Sequence, residues 1–268
     1  MKPFNHYNEL VRTGEPVALD ASWGQGKTTF GGMSAALALA AIERDHPQDA
    51  PLRSISVHFC GPLATDAEFT TSTRVLRAGR SISHISAEIH QNDACATSIT
   101  ACYGTPRESD VQVLAADVAP GEPGAGQRLP YIAGMTPEFV RHIDFSYVSG
   151  GLPFSGSKDN HIHGWMRFSD CTSDLTSVHL VALIDAWPPT TLQKLRKVAP
   201  CASVTWSLEL VASPESLDTP LGGDEWLWYE AQIEEAHGGY AHTTARIYRA
   251  DGLLLALSRQ LVTVYDKR

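Results

Sequence analysis

The segment AGRSISHISAEIHQND (78–93) recurs later in the chain as AHGGYAHTTARIYRAD (236–251). The first residues of the two copies are 158 positions apart, and so are the last, so the copies align without a gap. Each copy predicts a strand, a glycine-bearing turn, a second strand, a polar turn ending in Asp, and a third strand. One copy alone would leave an apolar face uncovered. We therefore predict two similar units packed as one body, with chemistry where the copies differ.

Local patterns extend the first copy into a longer series of elements. A short strand at 16–20 and a glycine-containing loop at 23–32 precede a helix predicted over 33–42. Ala and Leu residues leave that helix apolar on nearly every side, which is typical of a buried helix. Pro47 closes it. Strands with period-two alternation are then predicted at 54–59, 68–76, 81–90 and 94–103.

The second half repeats this order after a linker. Frequent Pro and Gly residues predict irregular chain over 105–134, between an N-terminal unit at 1–104 and a C-terminal unit at 135–268. A second helix is predicted over 173–187, where two consecutive prolines stop it. The other elements predicted here are a helical piece at 191–197 and strands at 139–147, 161–168, 202–211, 225–234, 241–248 and 253–265.

Composition limits the functions that the chain can have. Its 268 residues are 43% hydrophobic and 19% charged, as in soluble globular proteins, and the net charge is −9. That charge argues against non-specific nucleic-acid binding, which needs a basic surface. The five cysteines form no C-x-x-C pair, and neither a signal-peptide core nor a membrane span is evident. We therefore expect reduced thiols and a cytoplasmic protein.

Asp185 is the strongest single candidate for chemistry. It interrupts the apolar run of the second helix, whereas the first helix, by order along the chain, carries alanine near Ala36. A carboxylate among apolar helical residues needs partners or loses its charge. The other interpretation is an exposed stripe near the helix C-terminus, where the helix dipole disfavours an acid.

Gln260 is the second candidate. The constant offset places it opposite Cys102, within a strand otherwise rich in Leu and Val. An inward-facing Gln must be hydrogen-bonded, and it can donate to a water molecule or a carbonyl group. A solvent-facing residue on a half-exposed strand is the alternative.

Three short motifs carry a resemblance to a known family. They are FGGM (30–33), which opens the first helix, LIDAWPP (183–189), which closes the second, and the tail GLLLALSRQ (252–260). With their order and spacing, they are similar to the acyl-CoA thioesterase II group of thioesterase-like proteins. One helix wrapped in a curved antiparallel sheet, twice in one chain, resembles the α+β double hot-dog fold of that group.

The resemblance adds Ser203 as a third candidate site residue and implies a role for each of the three candidates. In this group a Thr or Ser begins the strand after the second helix, and Ser203 occupies that place. Thr205 and Ser207 share its face by period-two spacing, so the register is open by one step. The resemblance implies that Asp185, Ser203 and Gln260 hold one water molecule that attacks a thioester carbonyl. Asp185 would act as the general base.

The developing oxyanion needs preorganised donors, and the first helix offers them. Backbone N–H groups of Gly31, Gly32 and Met33 are the candidates, with ordinary helix entry as the alternative. The scheme requires no covalent intermediate, no metal and no cofactor. The expected partner is acyl-CoA or a related acyl thioester, without nucleic acid or membrane, and the resemblance leaves pairing into a homo-oligomer open.

Two other functions stay open. A hot-dog hydratase or dehydratase would use a His paired with an acid, and His58, His84 and His179 are available, although none has an obvious acid nearby. A non-catalytic acyl-binding module is the other, because Ser203 replaces the commoner Thr.

Two further patterns predict no site. GQGKT (24–28) imitates a phosphate loop but has Ala21 where the first glycine is needed. His161 and His163 share a strand face, yet no third metal ligand stands at a diagnostic spacing. The chain also lacks a Gly-x-Ser-x-Gly nucleophile elbow.

Overall fold

The computed structural model describes residues 1–116, 118 and 120–267. These residues form a mainly antiparallel β structure with three α-helices. The helices are α1 (Phe4–Arg12), α2 (Gly31–Asp45) and α3 (Ser177–Ile184). The strands are β1 (Val17–Ala18), β2 (Gly24–Gln25), β3 (Thr28–Thr29), β4 (Leu52–Phe59), β5 (Glu68–Ala78), β6 (Ile82–Gln91), β7 (Ala94–Gly104), β8 (Gln127–Arg128), β9 (Ile143–Ser149), β10 (His161–Phe168), β11 (Cys201–Leu210), β12 (Leu227–His237), β13 (Tyr240–Tyr248) and β14 (Leu254–Val264).

Twelve of these strands form one continuous sheet. Their order is β1-β5-β6-β7-β4-β11-β14-β13-β12-β10-β9-β8. The halves meet where β4 pairs antiparallel with β11, with Val57 opposite Trp206. The sheet of each half wraps its own central helix, as predicted for an α+β fold of two helix-wrapped antiparallel sheets fused in one chain. The division into units at 1–104 and 135–268 stays a prediction.

The two central helices lie in the core and pack on each other. Every residue of α2 from Gly32 to Ile42 is buried, and so is every residue of α3. Complete burial explains why neither helix has a polar stripe. No helix in the described part of the chain has the length and hydropathy needed to cross a membrane.

Helix α1, which precedes the two central helices α2 and α3, was not predicted. Its buried residues Phe4, Tyr7 and Val11 follow the i, i+3, i+7 spacing of an amphipathic helix. The signal was therefore present, but the segment is short and its other residues, apart from Leu10, are polar.

Several predicted bounds change in the second half. The helix predicted over 173–187 is only α3, so Asp185 is the residue after its last turn. Residues 138–142 form a 3₁₀ turn before β9, and the piece predicted at 191–197 is a 3₁₀ turn at 190–194. The linker predicted over 105–134 contains the short strand β8; its residues 117 and 119 lie outside the described residues.

The strand register corrects the predicted counterpart of Gln260. Ile85 of β6 pairs with Ala101 of β7. Thr243, 158 positions after Ile85, pairs with Gln260. Gln260 therefore corresponds to Ala101, not to Cys102. Since a shift of one residue exchanges the two faces of a strand, the correction places Gln260 on the inward face with Ala101.

A turn of unequal length causes this shift. The turn between β6 and β7 joins the paired residues Gln91 and Ala94. The corresponding turn between β13 and β14 is closed by a hydrogen bond from Arg249 N to Leu253 O and is one residue longer. Beyond it the offset between the halves is no longer 158, which the ungapped comparison could not detect.

Candidate active site

Asp185 lies where the end of α3 meets the start of α2. Its Oδ1 accepts a hydrogen bond from Nε2 of Gln260, at 2.5 Å. The backbone N–H of Gly32 donates a second hydrogen bond to the same carboxylate. The structure thus joins two of the predicted site residues, which are 75 positions apart in sequence.

Two glycines allow α2 to begin this close to the carboxylate. A Cβ atom on Gly31 would lie 2.7 Å from Oδ2 of Asp185. A Cβ atom on Gly32 would lie 2.6 Å from the carbonyl oxygen of Ala182 in α3. At Gly32 the obstacle is backbone, so the packing of α2 against α3 requires glycine there, whereas a Cβ atom at Gly31 would displace the Asp185 carboxylate.

The electrostatic setting of Asp185 has two opposing contributions. As the residue that ends α3, it lies at the negative end of that helix dipole. It also faces the first turn of α2, whose free N–H groups carry partial positive charge. The hydrogen bond from the Gly32 N–H is a direct contact with the positive start of α2. The side chain therefore faces α2 rather than an exposed stripe.

Burial controls the protonation of this carboxylate. It raises the pKa of Asp185 to about 7, while the hydrogen bonds from Gln260 and Gly32 act in the opposite direction. Burial also raises the pKa of the Tyr229 hydroxyl, with a further contribution from the charge of Asp185. A carboxyl group with a pKa near neutrality can take up and release a proton at physiological pH.

Asp185, Ser203 and Gln260 line the same cavity, which has a volume of about 380 Å³. In the described part of the chain the Ser203 side chain makes no hydrogen bond, so its hydroxyl is available to a ligand. The other lining residues are Gln25, Thr28, Thr29, Gly31, Ser34, Phe59, Gly61, Pro62, Leu63, Thr97, Trp187, Pro189, Cys201 and Ala202. A larger groove, of about 600 Å³, lies on the outer face of the sheet and contains none of the three candidates.

A β-bulge separates Ser203 from the other hydroxyl residues of β11. Ser203 pairs with Val262 and Thr205 pairs with Leu261, so β11 has one extra residue between them. Thr205 and Ser207 line grooves on the outer face of the sheet. The prediction that they share a face with Ser203 is wrong, because strict period-two spacing does not hold across a bulge.

The three predicted oxyanion donors have different surroundings. Gly31 lines the cavity. The N–H of Gly32 is directed to Asp185, and Met33 is fully buried and is not among the lining residues. Gly31 thus has the most direct access to a ligand, and the role of all three amides stays a prediction.

Ser34 and Thr97 are among the hydroxyl residues of the cavity that were not predicted. Thr97 Oγ1 donates to Ser34 Oγ at 3.1 Å, and Ser34 Oγ donates to the carbonyl oxygen of Gly31 at 2.9 Å. Ser34 is the one polar residue within 33–42, which was an available signal. Thr97 gave none, since threonine is common in strands.

The start of α3 differs from the start of α2. Glu215 accepts two hydrogen bonds there, from the backbone N–H of Ser177 at 2.5 Å and from its hydroxyl at 2.6 Å. The chain's own carboxylate therefore occupies the first turn of α3. At the start of α2 the facing carboxylate is that of Asp185, and both Asp185 and Gly31 line the cavity.

The histidines considered for a hydratase lie elsewhere. His58 lines a groove on the outer face, and His84 pairs with Cys102 in the sheet. His179 is buried and contacts Asn5 Oδ1 through Nε2 at 2.6 Å. None of the three is among the residues that line the cavity of Asp185.

The phosphate-loop imitation forms the antiparallel hairpin β2–β3, which leads directly into α2 and does not follow a strand of a parallel sheet. Gly26 adopts a positive φ of 68° at its turn, and Gln25 and Thr28 line the cavity. The rings of His161 and His163 lie 4.7 Å apart. Within residues 1–116, 118 and 120–267, no group of three or more His, Cys, Asp or Glu side chains could hold a metal ion.

Family models match most of the chain. Residues 19–104 match the model of the acyl-CoA thioesterase N-terminal domain, and residues 113–264 match that of the C-terminal domain. None of the curated proteins compared with the chain matches it.

Solved structures share the fold at low sequence identity. A conserved protein of unknown function with a hot-dog fold, from Alicyclobacillus acidocaldarius, is 24% identical with a TM-score of 0.81, over 94% of this chain and 92% of its own. An acyl-CoA thioesterase II from Mycobacterium marinum is 18% identical with a TM-score of 0.66, over 97% and 98%. The tesB protein of Mycobacterium avium subs paratuberculosis is 14% identical with a TM-score of 0.73, over 98% and 100%. These similarities establish the double hot-dog architecture.

Proposed function

The chain belongs to the acyl-CoA thioesterase family, and from that premise we propose that it hydrolyses an acyl-CoA thioester with a water molecule activated by Asp185. One observation carries the proposal: a carboxylate with a pKa of about 7 lines a cavity together with Gln260 and an unpaired Ser203 hydroxyl. Partial desolvation of an acid whose polar partners are an amide and a helix start costs stability, and such groups are common at catalytic sites.

In the first step, ionised Asp185 removes a proton from a water molecule held by the Ser203 hydroxyl and the Gln260 amide. The resulting hydroxide attacks the thioester carbonyl carbon, and the carbonyl oxygen becomes an oxyanion. Gln260 also fixes the carboxylate, since its Nε2 donates to Oδ1. General-base catalysis of this kind contributes about 10²–10⁴-fold to a rate.

In the second step, the tetrahedral intermediate collapses and the carbon–sulfur bond breaks. The start of α2 stabilises the oxyanion, because its free N–H groups and dipole favour negative charge. Protonated Asp185 then returns its proton to the leaving thiolate, so that the carboxylate is restored. The products are a carboxylic acid and free CoA.

The direct test is release of free thiol from acyl-CoA substrates by the purified protein. We expect thiol release to depend on enzyme concentration and to be accompanied by the free acid. Acyl-CoA that is retained without hydrolysis, seen by mass spectrometry of the intact protein, would instead favour the acyl-binding module. Loss of conjugated absorbance from an enoyl-CoA without thiol release would indicate a hydratase.

The pH profile gives a second test of the base. Because Asp185 must be ionised to accept a proton and its pKa is about 7, kcat/KM should rise with pH through a midpoint near 7. An exposed aspartate, with a pKa of about 3.9, would give a flat profile in this range. Steady-state measurements between about pH 5 and about pH 8 check this expectation. A flat profile would exclude Asp185 as the general base.

Ser203→Ala is expected to lower kcat/KM by about tenfold, as one hydrogen bond to the attacking water is lost. Thr205→Ala is the matched control, since the bulge places Thr205 on the outer face. It should retain the wild-type value. Equal effects of the two variants, measured by thiol release, would contradict the assignment of Ser203.

A further inference from the structure

Three of the side chains that line the cavity beside Asp185 are almost completely buried. Ser34 and Thr97 are 3% and 2% exposed and hydrogen-bonded to each other. Trp187 is 4% exposed. An alkyl chain bound in this cavity therefore meets a satisfied polar pair and an indole ring.

A stack on one face and contacts along the edges hold the Trp187 ring in place. One face is stacked on Tyr229, with ring centroids 5.2 Å apart and planes 6° from parallel. The edge of the ring lies against β10, because a Cβ atom on Gly164 would stand 2.5 Å from it. Tyr147 makes an edge contact at 4.8 Å. Opening a channel beyond Trp187 would thus require loss of a stack and several contacts.

We propose that Trp187 is a specificity-determining residue that restricts this enzyme to short acyl groups. The inference rests on the proposed thioesterase function and adds the class of acyl chain. The indole ring forms the floor against which the end of the acyl chain packs, and longer chains are excluded by steric conflict with it.

The size and lining of the cavity support the same class. Its volume of about 380 Å³ is near the lower end of the ~300–1,000 Å³ typical of small-molecule sites. This space must also admit the thiol end of CoA. Apart from Trp187, few large apolar side chains, chiefly Phe59 and Leu63, are present to receive an alkyl chain. A long chain would therefore gain little burial and would desolvate polar groups.

The experiment compares kcat/KM for butyryl-CoA and palmitoyl-CoA in the wild type and in Trp187→Leu. The wild type should prefer butyryl-CoA by about tenfold or more, and Trp187→Leu should shift the ratio towards palmitoyl-CoA by a similar factor. Trp165→Leu is the matched control. Trp165 is also a buried tryptophan of the second half, but it makes an edge contact with Trp228 and does not line the cavity, so the ratio should stay at the wild-type value.

Binding of non-hydrolysable thioether analogues separates this inference from the proposed function. Wild-type protein should bind S-butyl-CoA more tightly than S-hexadecyl-CoA, whether or not it hydrolyses any thioester. If Trp187→Leu does not fold, Trp187→Phe provides the smaller truncation and should shift the same ratio in the same direction. A wild-type preference for the long chain, or a ratio that neither variant changes, would overturn the proposal.

Discussion

Asp185→Asn is expected to abolish turnover while the fold stays intact. Asn has nearly the same shape, and its side-chain oxygen can still accept the hydrogen bond that Gln260 donates to Oδ1. It cannot take a proton from water, so kcat/KM should fall by about 10²–10⁴-fold. Thiol release, followed at an enzyme concentration high enough to detect the residual rate, measures the fall in kcat/KM.

The stability of the same variant provides its control. Burial raises the pKa of Asp185 above that of an unfolded aspartate, so the native protein binds this proton more tightly than the unfolded chain. Its ionisation therefore lowers stability as pH rises from about 4 towards about 7. Asn carries no such cost, and the variant should melt at or above the wild-type temperature at pH 8. Wild-type activity in a folded Asn variant would exclude the mechanism.

Gly32→Ala is expected to cause the largest loss of stability among single methyl additions near the site. Its Cβ atom would lie 2.4 Å from Cζ of Phe30 and 2.6 Å from the carbonyl oxygen of Ala182. The second obstacle is backbone, so α2 and α3 must move apart. Overpacking of this kind costs about 1–3 kcal/mol, and in a chain of this size each kcal/mol lowers Tm by about 2–4 °C.

Thermal denaturation followed by circular dichroism tests this expectation. Gly61→Ala is the matched control, because its Cβ atom would meet only the carbonyl oxygen of Cys95, at an ordinary 3.5 Å. That variant should melt within the error of the wild type. Equal Tm values for Gly32→Ala and the wild type would show that the contact between α2 and α3 is looser than described.

The features of the site that follow from local pattern were predictable. The repeat gave the duplicated architecture, and the apolar run of α2 gave a buried helix. Asp185 stood out because it is a lone acid in an apolar segment, and it does meet Gln260. The role of each residue nevertheless stays a proposal.

The features that depend on one inserted residue were not predictable. An ungapped comparison cannot detect the longer turn before β14, which moves Gln260 from the outer to the inner face. Period-two reasoning likewise fails at the bulge that separates Ser203 from Thr205. In both cases a local irregularity changes the face on which every later residue of the strand lies.

Glu215 at the start of α3 has a consequence for stoichiometry. The sheet has approximate twofold symmetry, but Glu215 is hydrogen-bonded to the start of α3, whereas the start of α2 and its facing carboxylate, Asp185, line the cavity. Each polypeptide should therefore bind one equivalent of a CoA thioether in calorimetric titration, with a single-site isotherm. Initial rates should likewise rise hyperbolically with substrate concentration, without cooperativity between halves, despite the duplicated framework.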